Sequence, residues 1–217
     1  AADLLLGKIA VLDGNFDEGR EALQRCRSTA LQVGHVRLAG LALAELATLE
    51  TRVARHAAAA VCWQFCASCH QQADAPMLQA QALAAQVRSL LAAQRIDHAI
   101  VVAPHAHQSA AAAAAPEISA AIDGDFADHL LEHGHDADET RAACMVAVES
   151  AVEARLRPPG PILLALARMR LAAVTPADVD AQRHWDAGRD VAVQLAADLR
   201  SDVVLRGALL VHAAAGA

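Results

Sequence analysis

A turn-like segment recurs three times in this sequence at equal intervals, and apolar residues at helical spacing flank each copy. The three copies are GNFDEG at 14–19, ARHAAA at 54–59 and QRIDHA at 94–99. They align in phase and end on a small residue, where the two helices of a hairpin would touch: Gly19, Ala59 and Ala99. A period of about 40 residues lies in the range of helical solenoid repeats. The sequence therefore predicts stacked helical hairpins, because one hairpin cannot bury its apolar face alone.

Composition favours the same fold class. Apolar residues make up 55% of the 217 residues, whereas aromatic residues make up only 2% and Tyr does not occur. Ala is the largest part of the apolar share, and it is the residue with the highest helix propensity. No segment shows the sustained alternation of apolar and polar residues that is typical of a strand. We predict an all-α protein of about eleven helices, built as antiparallel helical hairpins.

The order of small and large residues in the repeat is specific. The first unit carries a Leu-Gly pair, a turn, a small residue, a large apolar residue and a second small residue: Leu6-Gly7, Gly14-Asn15, Gly19, Leu23 and Cys26. The second unit keeps this order with Leu46-Ala47, Ala59, Trp63 and Cys66. This pattern resembles the tetratricopeptide repeat over residues 1–115. The unit is longer than the standard repeat of about 34 residues. It is therefore more similar to the extended arrays of large bacterial transcription regulators of the MalT/LuxR type.

The chain is divided by this pattern into two parts. Residues 1–115 carry the tetratricopeptide-like repeats, and residues 116–217 are predicted to form a more irregular helical continuation with a C-terminal cap. The Pro-Pro-Gly-Pro run at Pro158–Pro161 is expected to interrupt this second part. A final helix is predicted to begin at Ser201.

Three local features refine the prediction around that division. Pro104 lies in the second helix of the third unit, so we expect a kink or an early end there. An acidic stretch follows, with a short helix predicted from Phe126 to Glu132. Asp138 is predicted to cap a long helix that runs to about Arg157.

One motif could carry redox chemistry. Cys66, Cys69 and His70 form CxxCH, the signature of covalent c-type haem attachment, in which two thiols join the haem and the histidine binds its iron. However, Cys62, Cys66 and Cys69 follow the i, i+4, i+7 spacing of one helical stripe, and Cys66 occupies the small position of the repeat. Buried cysteine behaves as a small hydrophobic residue. We therefore predict core cysteines and no cofactor, with a c-type haem electron-transfer protein as the alternative.

Metal sites are also conceivable. A zinc site from the same cysteines and His70 is disfavoured, because adjacent turns of one helix cannot arrange four ligands tetrahedrally. His129 and His133 are four residues apart on a predicted helix and can chelate a metal ion. His135, Asp136 and Asp138 follow closely. Because the HExxH motif does not occur, we expect a solvated acidic loop, with His129 and His133 as the alternative metal ligands.

Several function classes are disfavoured by the sequence. It has no nucleophile elbow and no glycine-rich phosphate loop, so we predict that it is not an enzyme. The net charge of −7, from 18 Lys+Arg against 25 Asp+Glu, disfavours nucleic acid as a partner. No apolar run approaches the roughly 18 residues of a membrane span. Five cysteines without the spacing of a secreted framework indicate a reducing compartment, so we predict the cytoplasm.

The remaining class is recognition. The resemblance implies a scaffold that binds a protein, a peptide or a small effector as one module of a larger bacterial regulatory or signalling protein. In that family the first helix of each repeat lines the binding groove. The resemblance therefore implies five contact residues in this chain: Lys8, Glu45, Thr48, Arg52 and Arg88.

Overall fold

The computed structural model describes residues 2–133, 136–156, 159–175 and 179–198. These residues form ten α-helices, and no strand occurs among them, so the all-α prediction is confirmed. Contacts divide the chain into a unit at 1–114 and a unit at 115–217. The helices of the first unit are α1 (Ala2–Leu12), α2 (Phe16–Gln32), α3 (Val36–Arg52), α4 (His56–Gln72), α5 (Pro76–Ala92) and α6 (Ile96–Ala112). The second unit contains α7 (Pro116–Glu132), α8 (Ala137–Ala154), α9 (Gly160–Val174) and α10 (Val179–Asp198).

Left-handed backbone residues set the lengths of α2 to α7. Each of these helices has 17 residues, and their first residues are evenly spaced along the chain. A residue with φ between +50° and +83° lies two positions before each start: Gly14, Gly34, Ala54, Asp74, Gln94 and Ala114. In the first five turns the next N–H donates to the carbonyl five residues back at 2.7–3.0 Å, which is the helix-ending Schellman geometry. Each repeat seen in the sequence therefore consists of two halves of equal length with the same turn.

Small residues allow the helices of the first unit to approach closely. A Cβ added to Gly7 would lie 2.6 Å from Leu23, and one added to Gly19 would lie 2.7 Å from Val11. Ala59 and Ala99, which occupy the same repeat position as Gly19, are fully buried. The predicted contact between the two helices of a hairpin at these small residues is confirmed.

Two apolar clusters hold helices of the first unit together. Leu23, Leu46 and Leu49 pack together with Val11, where α1, α2 and α3 meet. The other cluster joins α2, α3, α4 and α5 and consists largely of small residues: Ala30, Ala39, Leu43, Cys66, Ala67, Cys69 and Ala82. Trp63 packs against this second cluster from its edge.

The second unit packs around alanine as well. Its cluster is formed by residues of α7, α8 and α9: Ala120, Ala127, Cys144, Ala147, Ala151, Ala154, Leu164, Ala167 and Leu171. Val148 and Val152 of α8 pack against this cluster beside Cys144. Trp185 of α10 packs on Ala165 and Met169 of α9.

Several local predictions for the later part of the chain were wrong. The early end predicted at Pro104 is wrong, because α6 continues through it to Ala112. Pro104 and Ile100 lie on the exposed side of α6, where water can hydrate the carbonyl that has no helical donor. The helix predicted at Phe126–Glu132 is the last part of α7, which already starts at Pro116. Pro116 occupies the first helical turn, where its missing N–H removes no helical bond.

The cap of α8 also differs from the prediction. Asp136, not Asp138, is the N-cap, and its carboxylate accepts from the N–H groups of Asp138 and Glu139 at 2.9 and 3.2 Å. Helix α8 ends at Ala154, before Arg157, and α9 begins at Gly160. The interruption between α8 and α9 therefore overlaps the proline run. The helix predicted from Ser201 lies outside the described residues.

Candidate functional site

The predicted contact residues follow the repeat register. Lys8, Thr48 and Arg88 are separated by one repeat each and lie at equivalent positions of α1, α3 and α5. Lys8 forms an ion pair with Glu45 at 2.7 Å, and both side chains are partly exposed. This contact shows that α1 and α3 present neighbouring polar side chains on one side of the first unit. We call the side formed by α1, α3 and α5 the odd-helix face.

A cavity opens on this face between α3 and α5. It has a volume of about 400 Å³, which is within the usual range of ligand pockets, roughly 300–1,000 Å³. Three of the five predicted contact residues line it, namely Thr48, Arg52 and Arg88. We call it the arginine cavity; its other lining residues are Thr51, His56, Trp63, Ala85, Ser89 and Ala92.

The hydroxyl groups of this cavity are already engaged within their own helices. Thr48 and Thr51 donate to the carbonyls of Ala44 and Ala47, each at 2.9 Å. Ser89 donates to the carbonyl of Ala85 at 2.8 Å. A ligand would therefore meet methyl groups, the Trp63 ring and the basic side chains before it meets a free hydroxyl proton.

Charge in the arginine cavity has one sign. Arg52, Arg88 and His56 line it, and none of its lining residues is acidic. The chain as a whole carries a net charge of −7, so this basic surface differs from the average of the protein. Basic side chains next to an aromatic ring favour a ligand with an anionic group and an apolar part.

Sequence reasoning missed part of this cavity. In the sequence Trp63 is the large apolar residue of the second unit, whereas in the structure it both packs on the core and lines the cavity. His56 was not predicted, because it starts α4 rather than lying on α1, α3 or α5. The sequence spacing could have linked them: His56 and Trp63 are seven residues apart and therefore lie on one side of α4.

The CxxCH residues lie in the interface between α3 and α4. Cys66 and Cys69 are buried, and the Cys66 thiol donates to the carbonyl of Gly40 at 3.3 Å. A Cβ added to Gly40 would lie 3.0 Å from the His70 ring and 3.3 Å from Cys69. The two thiols and the imidazole therefore fill a close helix contact, and this placement does not fit a haem, which needs space over all three groups.

Burial also changes the acidity of these groups. It raises the pKa of the Cys66 thiol to about 12, with smaller contributions from Cys69 and Cys62. Burial likewise raises the pKa values of Cys62 and Cys69. Thiols with raised pKa values stay protonated at neutral pH and are poor nucleophiles and metal ligands. Burial therefore favours the protonated form of all three thiols.

His70 is the polar exception in that interface. Its ring is only 4% exposed, and its Nδ1 atom has no hydrogen-bond partner among the described residues. Burial lowers the pKa of His70, and the positive charge of Arg37 lowers it further. The imidazole is therefore neutral at physiological pH.

The histidine pair of α7 has a local role. The rings of His129 and His133 lie 4.3 Å apart between centroids, and Nδ1 of His133 is 2.8 Å from the carbonyl oxygen of His129. This contact occupies one of the two ring nitrogens of His133. Within the described ranges, no group of three or more His, Cys, Asp or Glu is placed to hold a metal ion. His135 lies outside those ranges.

Comparison with known proteins gives no further guidance on identity. No family model matches the chain, and no curated protein matches it. None of the described helices is long and apolar enough to cross a membrane.

Proposed function

We propose that this protein is a recognition module of the tetratricopeptide-like type, and that its odd-helix face binds a peptide segment of a partner protein. The observation that carries the proposal is the arginine cavity. It combines an apolar floor, the Trp63 ring and three basic side chains, with no acidic residue among those that line it. These groups favour a segment that presents a carboxylate next to an apolar side chain.

The rest of the odd-helix face fits the same role. Lys8 and Glu45 neutralise each other at 2.7 Å, so the region beside the cavity has little net charge. Positive charge is thus concentrated on one part of the face, which would set the register of a bound acidic segment.

The wider setting is part of the proposal. We place the module in a bacterial regulatory or signalling protein of the cytoplasm, without a catalytic role of its own. The five cysteines are free thiols, and four of them are buried, which suits a reducing compartment.

The test is a selection of random displayed peptides on the whole chain, followed by affinity measurements on one labelled peptide. We expect acidic peptides with apolar neighbours, and at least a tenfold weaker affinity for the Arg52→Glu variant. Raising the salt concentration should weaken binding to the native chain more than to this variant.

A matched control is Glu18→Lys, which reverses an exposed charge on α2, outside the odd-helix face. Arg20 is unsuitable as a control because it donates to buried Glu50 at 2.8 Å. Circular dichroism checks the fold of each variant. Selection of basic peptides, or equal affinities of the Arg52 and Glu18 variants, would contradict the proposal.

A further inference from the structure

A second cavity in the first unit lies among α4, α5 and α6. Its volume is about 390 Å³, close to that of the arginine cavity. Most of its wall is apolar, and this part is formed by Ala57, Ala60, Val61, Leu90, Val101 and Val102. A cavity of this size with apolar walls and few polar groups matches the general description of a small-molecule site. We call it the α4–α6 cavity.

The repeat shows why this space is open. Ala60 and Leu90 occupy the helix positions that Arg20 and Glu50 occupy one repeat earlier. In the earlier repeat Nε of Arg20 donates to the carboxylate of Glu50 at 2.8 Å, and both side chains are largely buried. An arginine side chain and its ion pair therefore join α2 and α3 where the later repeat has only a methyl group and a leucine.

Arg95 is the charged residue that has no partner after this exchange. Its equivalent one repeat earlier is Arg55, and each is an N-cap residue, Arg55 of α4 and Arg95 of α6. Nε of Arg55 lies 3.2 Å from the carboxylate of buried Glu50, so an arginine at this position can reach the floor of the groove. Leu90 offers no carboxylate, and the Arg95 side chain forms no ion pair or hydrogen bond with any described residue.

The acidic residue at this cavity has a local role that Arg95 does not have. Asp97 also lines the cavity, and it lies in the first turn of α6, where the helix dipole stabilises a carboxylate. The same dipole disfavours a positive charge at that end of the helix, so it gives no reason for Arg95 to be there. A carboxylate bound at the cavity would supply the missing partner.

We propose that the α4–α6 cavity binds a small monocarboxylate with an apolar chain. The chain packs on Ala60 and Leu90, in the space that an arginine side chain takes in the earlier repeat. The carboxylate pairs with Arg95, as that of Glu50 pairs with Arg55, through charge-assisted hydrogen bonds. The site is formed by α4, α5 and α6 and does not depend on peptide binding at the arginine cavity.

Hexanoate is the probe, and hexanol and hexylamine are matched controls that have the same chain with a neutral or a positive head group. Ligand-observed NMR on the whole chain measures their affinities. We expect hexanoate to bind in the millimolar range or tighter, as is usual for ligands of this size, and both controls to bind about tenfold more weakly. Hexylamine binding as tightly as hexanoate would overturn the proposal, because Asp97 rather than Arg95 would then select the head group.

Two variants locate the binding site. The double variant Ala60→Arg/Leu90→Glu restores the residues of the earlier repeat, so an internal ion pair should fill the cavity and weaken hexanoate binding about tenfold or more. Arg95→Gln changes an exposed residue, so it should keep the fold, weaken hexanoate binding about tenfold and leave hexanol binding unchanged.

Arg52→Glu, in the arginine cavity, is the control for these variants. It should leave hexanoate binding unchanged even if it removes peptide binding, so the two sites can fail separately. Circular dichroism checks the fold of each variant, and Arg95→Gln decides the test if the double variant does not fold. Failure of hexanoate to bind the native chain, or an affinity that Arg95→Gln leaves unchanged, would overturn the proposal.

Discussion

The two units of this chain reach helical packing by different means. In the first unit every turn has the same form, and its left-handed residues follow one another at equal intervals. In the second unit α8 begins at an aspartate cap and α9 begins at Gly160, within the proline run. The first unit also buries more polar side chains, namely Glu50, His70, Gln86 and Ser89, whereas the described part of the second buries His129 and Thr140.

The regular turns of the first unit make its repeat positions directly comparable. A repeated turn places successive helices in equivalent surroundings, so a single substitution in one repeat alters one position of an otherwise constant frame. Gln86 in place of the equivalent Leu46 is such a change. The described part of the second unit has no comparable register, and six of the nine residues in the cluster of α7, α8 and α9 are alanine. We therefore expect polar substitutions to have specific roles in the first unit and general effects on stability in the second.

The largest expected effect comes from a comparison of one ion pair in each unit, of which only the pair in the first unit has a buried carboxylate. Glu50 is 5% exposed; Arg20 donates to one of its oxygens at 2.8 Å, and Nε of Arg55 lies 3.2 Å from the other. Glu50→Gln should reduce the free energy of unfolding by about 1.5–3 kcal/mol, because Arg20 loses its buried counter-ion and keeps only the exposed Asp17, which lies 2.8 Å away.

The matched change in the second unit is Asp128→Asn. Asp128 pairs with Arg170, but its side chain is 45% exposed, so we expect a loss of about 1 kcal/mol or less. Urea unfolding measures both, and each unit has one tryptophan, Trp63 or Trp185, whose fluorescence can be followed after the other is replaced by Phe. Equal losses of unfolding free energy in the Glu50 and Asp128 variants would contradict the expected difference between a buried and an exposed carboxylate.

The next effect concerns pH. Burial lowers the pKa of His70 below its unfolded value of about 6.5. Between the folded and unfolded pKa values the unfolded chain binds the additional proton, so the stability of the first unit should fall as the pH falls below about 6.5. Above about pH 6.5 both the folded and the unfolded chain carry neutral His70, so this loss of stability should not occur there. Unfolding of the first unit, followed by Trp63 fluorescence between pH 7.5 and pH 5, measures the slope.

A His70→Met variant serves as the control for this slope. Methionine is uncharged at every pH and can adapt to the space beside Gly40. The pH dependence between 7.5 and 5 should become shallower in this variant. An unchanged slope would show that protonation of His70 does not contribute.

The smallest effect concerns the turns of the first unit. Ala54 and Gln94 have φ values of +57° and +58°, which non-glycine residues adopt at a cost of roughly 1–2 kcal/mol. Ala54→Gly and Gln94→Gly should each stabilise the chain by up to about 1 kcal/mol, since the flexibility of glycine in the unfolded chain offsets part of the gain. Gly34→Ala should destabilise it by about 1 kcal/mol, and thermal unfolding distinguishes these signs. A destabilised Ala54→Gly variant would mean that the turn is not strained.

Parts of the fold could be predicted because they depend on local chemistry. The alanine content and helical spacing predict helices, and the period of the repeat predicts hairpins with small residues at Gly19, Ala59 and Ala99. The sequence did not predict that each repeat divides into two equal halves. Of the six left-handed turn residues in the three repeats, four are not glycine and so give no turn signature. Asp136 and Asp138 are equally good caps in sequence, and only the backbone bonds of α8 distinguish them.

The sequence by itself therefore determined that this chain is helical, that its first half is repetitive and which repeat positions must be small. Only the tertiary structure decided which side chains meet. Lys8 pairs with Glu45, Arg20 with Glu50, and Trp63 meets Arg52 at one cavity, although the members of each ion pair lie on different helices, far apart in the sequence. The physical reason is that helix formation depends on neighbours three and four residues apart, whereas ion pairs and cavities depend on how separate helices pack.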